Sequence, residues 1–106
     1  MDRSDVIRLI PVTYAKDNTG VPRPTEGEAR TVMCQVNSVT RSEFFEAGRN
    51  GLNPEYVFTV FFGDYDGERL VEYRDKRYSI YRTYHGRNGI MELYAERKGG
   101  TNGNGN

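Results

Sequence analysis

His85, Cys34 and the carboxylates of "DYDGE" (64–68) are the residues of this 106-residue chain whose types and spacing could support chemistry. A histidine working as a general base needs a nucleophile and an orienting carboxylate brought to it. His85 is the only histidine, sits beside a turn, and has no Ser, Cys or acid at a spacing that marks a triad, so it reads as an exposed turn residue. Cys34 is the only cysteine, which excludes an internal disulfide and a thiolate zinc cluster and fits a reducing intracellular setting. "DYDGE" lacks the third ligand position and the distant glutamate of a calcium loop, and reads as a hairpin turn at Asp66-Gly67. No catalytic residue, metal or cofactor is expected, and an enzyme has the least support.

Two other stretches suit binding. In "VTRSEFFEAGRNGLNPEY" (39–56), Thr40 with Glu43 makes a capping box, Val39 with Phe44 a hydrophobic staple, and Gly48 a stop. That predicts about two turns of helix, too short to stand alone in water. The segment therefore needs a packing partner. One reading makes Phe44 and Phe45 a plug over the barrel end. The other leaves at least one of them for a second surface, because adjacent helical residues cannot both face one partner. Charges around them cancel, Arg41 and Arg49 against Glu43 and Glu46, and an aromatic, neutral, Gly-hinged segment suits protein better than phosphate.

In "YRDKRYSIYRTYHGR" (73–87), Arg74, Lys76, Arg77, Arg82 and Arg87 face one acid, Asp75, with four tyrosines interleaved. Small barrels that bind single strands combine basic grooves with stacking aromatics, so a nucleic-acid module is the rival reading, with Arg77, Tyr81, Arg82, Tyr84 and Arg87 as contacts. Against it, Tyr and Arg are also enriched at protein interfaces, and Tyr78 and Ile80 are expected to point inward.

The elements that must position these residues are mostly strands, since apolar residues recur with period two. "DVIRLIPVTY" (5–14) is an edge or bulged strand, because Pro11 gives a ladder no N–H. "DNTG" (17–20) is a turn and "VPRPTEG" (21–27) an extended loop. "RTVMCQVNSV" (30–39) puts Val32, Cys34 and Val36 on one face. "EYVFTVFFG" (55–63) is apolar on both faces and belongs at a sheet centre. "RLVEYR" (69–74), "RYSIYRTY" (77–84) and "GIMELYAER" (89–97) complete a meander, the last two joined through Asn88-Gly89. The expected fold is mainly β: a small antiparallel barrel of about six strands, with a long loop and short helix between the second and third, in one domain over 1–98. "GGTNGNGN" (99–106) has nothing apolar to bury and is expected to be a flexible tail.

Lys plus Arg equals Asp plus Glu, 15 each, so the chain as a whole lacks the basic excess of a dedicated nucleic-acid binder. "MDRSDVIRLIPV" holds too short an apolar run for a signal peptide or a spanning helix, and no membrane role is expected.

The run 38–84 resembles the head closure proteins of long-tailed bacteriophages and prophages, also called head-tail connector or stopper proteins. "RSEFF", "GLNPEYVFTV" and "KRYSIYRTY" carry the resemblance, which extends from about Asp5 to Lys98; Asp75 stands where the family usually has Gly. The resemblance implies a small β-barrel that assembles with itself into a dodecameric ring at the head-tail interface of the virion, after a period in the bacterial cytoplasm. It implies partners as well: the adaptor protein below the portal, tail terminator and tail-tube proteins, and DNA held without sequence preference. It places the channel or subunit-interface loop at Arg41, Glu43, Phe44, Phe45, Glu46, Arg49, Asn50, Leu52 and Asn53. The implied task is to close the DNA exit channel after packaging and to present the tail docking surface.

Overall fold

The computed structural model describes residues 4–97, so the tail expected over 99–106 lies outside the described residues. In chain order the elements are β1 (Asp5–Ile10), β2 (Val12–Lys16), β3 (Pro22–Glu26), β4 (Arg30–Ser38), α1 (Arg41–Gly48), β5 (Pro54–Phe61), a single 3₁₀ turn (Phe62–Asp64), β6 (Leu70–Tyr73), β7 (Lys76–His85) and β8 (Ile90–Arg97). Six of the strands close an antiparallel barrel in the order β1-β4-β5-β8-β7-β6, with β6 returning to β1 through Arg8↔Glu72, Leu9↔Val71 and Ile10↔Leu70. The helix lies between β4 and β5, the second and third barrel strands along the chain, as the sequence predicts.

The interior follows the period-two pattern. Ile7, Leu9, Val32, Cys34, Phe58, Val60, Val71, Leu93 and Ala95 point inward and are buried. Phe58 and Tyr56 meet Tyr73 and Tyr78 edge to face, with centroids 5.4 to 5.9 Å apart, the geometry that ring quadrupoles favour. Burial pushes the Cys34 thiol up to about 12, so this sulfur is core filling rather than a nucleophile.

Four sequence expectations are corrected. The meander holds from β6 through β7 to β8 but does not include β5, which pairs with β4 and β8, while β6 pairs with β7 and β1. "DYDGE" is therefore not a hairpin turn but part of a crossover from β5 to β6. Glu68 pins that crossover. It is 5% exposed and accepts from Arg30 Nη2 at 2.6 Å and from the Asp66 N–H at 2.8 Å. Burial pushes its pKa up, but these donors outweigh burial and hold it below the usual carboxylate range.

Pro11 does not merely weaken one strand; it divides 5–16 into β1 and β2. The stretch 21–27, expected as loop, supplies β3, which pairs with β2 in a two-stranded arm. Prolines are tolerated there because of register. Hydrogen bonds Asp17 N–H to Val21 O and Gly27 N–H to Pro11 O bracket the arm, so the alternating ladder puts Pro22 and Pro24 at positions whose nitrogens face away from β2. At the arm's tip Asp17 accepts from Thr19, Val21 and Arg23, which holds its carboxyl far below the usual range.

Candidate interaction surface

Thr40 caps α1 as predicted, its hydroxyl accepting from the Glu43 N–H at 3.1 Å. The return half of the capping box is replaced by a longer reach. Glu43 Oε1 takes Arg82 Nη2 at 2.6 Å, and Oε2 takes the Tyr81 hydroxyl at 2.6 Å and Arg82 Nε at 3.3 Å. Arg82 in turn stacks over the Tyr94 ring, 3.8 Å from its centroid. All three partners lie on the outer face of β7 and β8, because Ile80, Leu93 and Ala95 take the inner face and a bulge between Ile80 and Arg82 turns Tyr81 outward. Glu43 thus latches the first turn of α1 to the barrel wall. The hydrogen bond from Arg82 holds the Glu43 carboxyl below its usual range, and loss of solvent with that carboxylate alongside lifts the Tyr81 phenol well above its own.

The helix ends at Gly48 as predicted, but the left-handed glycine of its cap is Gly51. Gly48 closes the helix, while Gly51 N–H bonds to Gly48 O and Leu52 N–H to Ala47 O, a Schellman pattern with Gly51 in the left-handed region at φ +78°. Only Ala47 of the helix is buried. Phe44 is 45% exposed and Phe45 59%, the two rings touching edge to face at 5.8 Å. The plug reading is therefore overturned for the free chain: the rings stack on each other and face outward.

The other loop residues support this presentation. Arg49 pairs with Glu46 at 3.1 Å, the Asn50 side chain donates to Glu46 O, Leu52 is half-buried, and Asn53 N–H donates to Glu96 at 3.0 Å. Arg41 is exposed.

The basic stripe looks different in three dimensions. Tyr73 and Tyr78 are core. Arg74 reaches Asp5 at 3.7 Å, Arg77 pairs with Glu26 of the arm, and Arg82 pairs with Glu43. Tyr81 is half-buried under its hydrogen bond, leaving Tyr84 and Arg87 exposed. The five residues taken as one contact set are thus spread between the arm, the helix latch and a barrel end.

Sequence reading missed a second aromatic patch. Phe61 and Phe62 are both exposed, Phe62 meeting His85 edge to face at 4.3 Å, and the Phe61 ring lies where a side chain on Gly63 would have to go. Its signal was the doubled Phe at 61–62, read as continuing the strand when the chain in fact leaves the ladder after Phe61. His85 is exposed as expected. Among the described residues no group of three His, Cys, Asp or Glu side chains is placed to hold a metal ion, and no helix is long and apolar enough to cross a membrane. No protein-family model matches the chain, and no curated protein is significantly similar to it.

Proposed function

We propose that the protein is a ring-forming connector of the phage head-tail junction, closing the DNA exit channel after packaging and presenting the surface on which the tail docks. The observation that carries this reading is the Phe44–Phe45 pair, about half of each side chain left exposed on a capped and latched helix. Two stacked phenyl rings kept in water are a standing cost that a second protein surface removes, and aromatic anchors of this kind dominate interface energies. The sequence resemblance places the same segment at a ring interface or channel. The electrically balanced helix, with Glu46 on Arg49 and Glu43 on Arg82, suits a surface that DNA slides past rather than one that grips phosphates. The pairing of Arg74, Arg77 and Arg82 also weakens the nucleic-acid module, which would need those cations free.

The test is the double variant Phe44→Ser, Phe45→Ser. Full burial of one Phe side chain contributes about 1.5–3 kcal/mol, and roughly half of each is already exposed in the free chain. The isolated variant should keep its fold, and the damage should appear in assembly: heads that package DNA and then leak it, or that fail to join tails. Normal DNA retention and normal tail joining by a folded variant would sink the assignment.

A further inference from the structure

The barrel wall has a slit. β6 stops pairing with β7 at Leu70↔Ser79, and one more bond, Ile80 N–H to Arg69 O at 2.9 Å, ends the contact. β7 runs on to His85 joined to β8 alone. Among the described residues no backbone hydrogen bond links 81–85 to the crossover chain beside it. That side of β7 is an open strand edge, with N–H and C=O groups left to solvent.

Two recesses border the edge. A cleft of about 500 Å³ lies between Val12, Tyr14 and Pro24 of the arm and Arg69, Ile80 and Tyr81 of the wall. A smaller recess of about 200 Å³, bounded by Tyr65, Gly67 and Thr83, shares Arg69, Ile80 and Tyr81 with it. Arg69 is thus common to both, and among the described residues it makes no ion pair, whereas Glu26 in the cleft is engaged by Arg77. The cleft has a mixed lining, apolar at Val12, Tyr14, Pro24 and Ile80 and acidic at Glu26 and Glu96, which are engaged by Arg77 and by the Asn53 N–H. Arg69 beside it and beside an open strand edge matches an extended chain that supplies backbone groups, an apolar side chain and a carboxylate.

We propose that the β7 edge is a strand-addition site for an extended peptide segment of a partner protein, with an acidic side chain on Arg69 and an apolar one in the cleft against Tyr14 and Pro24. Main-chain bonds to 81–85 give such a site its affinity, and the flanking pockets give it selectivity. The site does not rest on the connector reading; it adjoins the Glu43 latch through Tyr81 and Arg82 but leaves Phe44 and Phe45 out of the contact.

The test uses the whole chain and the capped peptide acetyl-Thr-Val-Glu-Val-Thr-amide as probe, read by amide exchange and by titration. Peptide at saturation should slow exchange at 81–85 by about tenfold or more, and Arg69→Glu should weaken binding about tenfold, as should Lys in place of Glu in the peptide. Arg69→Gln, checked for an unchanged melting temperature, stands in if the charge reversal disturbs folding. The proposal fails if millimolar peptide leaves exchange at 81–85 unchanged, or if the Glu and Lys peptides bind equally. It also fails if the segment becomes protected with protein concentration alone, which would make the occupant a second copy, or if a single-stranded oligonucleotide protects it better than the peptide.

Discussion

Glu43 does more than a helix-cap acid normally does, because its carboxylate joins two elements that share no apolar seam of any size. Its pKa is lowered chiefly by Arg82, so its contribution to stability is fully present above the ordinary carboxylate value of 4.5 and is lost as pH falls through the lower folded value. Glu68 is shifted the same way, so acid removes both. With Arg82 half-exposed, the Glu43 pair is worth on the order of 1 kcal/mol. Glu43→Gln should therefore melt below the wild type at neutral pH, and the gap should close progressively as pH falls below 4.5. A gap that persists unchanged in acid would show that the side chain's packing, not its charge, holds the helix.

At the scale of elements, the two glycines of "GRNG" at 48–51 have opposite roles. Gly48 ends the helix with open space around it, so Gly48→Ala should be neutral or stabilise by up to about 1 kcal/mol. Gly51 also faces open space but sits at φ +78°, so Gly51→Ala should destabilise by about 1 kcal/mol through backbone strain alone. Paired denaturant melts check the contrast, and equal effects at both positions would refute the cap assignment. Thr40, Glu43 and the Phe pair were legible as a capped aromatic helix, and so was the inward face of β4 at Val32 and Cys34, since both rest on local periodicity. The crossover from β5 to β6 was not legible, because alternation fixes which face a residue takes and says nothing of which strand lies beside it. Nor was the arm: prolines at 22 and 24 argue against a strand unless the register that turns their nitrogens outward is known. The partners of Arg77 and Arg82 were hidden for the same reason, lying far along the chain at Glu26 and Glu43.

For the molecule as a whole, a radius of gyration of 14.6 Å exceeds the roughly 13 Å of a compact 100-residue domain, and the 47 Å long axis fits an arm that stands apart from the barrel. Arm and barrel should be separable. Pro11 and Gly27 are already hydrogen-bonded at 2.8 Å, so replacing Val12–Glu26 by Asn-Gly closes the gap with a two-residue turn. Apart from the Arg77–Glu26 pair, which is exposed and worth at most about 1 kcal/mol, the barrel core is untouched. The shortened chain should melt cooperatively within about 5 °C of the parent. Ending the chain before β8 should instead abolish cooperative melting, because β8 is the wall between β5 and β7. A barrel that collapses without its arm would show that the arm is part of the folding unit.

The outward nitrogens of Pro22 and Pro24 carry a consequence for growth. A strand arriving at the outer edge of β3 meets two positions that cannot donate, while the outer edge of β2 still offers the backbone groups of Val12, Tyr14 and Lys16. The arm is thus a one-ended connector: it can accept a chain on one side and is terminated on the other. Were copies to join through it, they would stop at pairs instead of propagating into a fibre, even though Tyr14 and Val21 leave apolar surface on it.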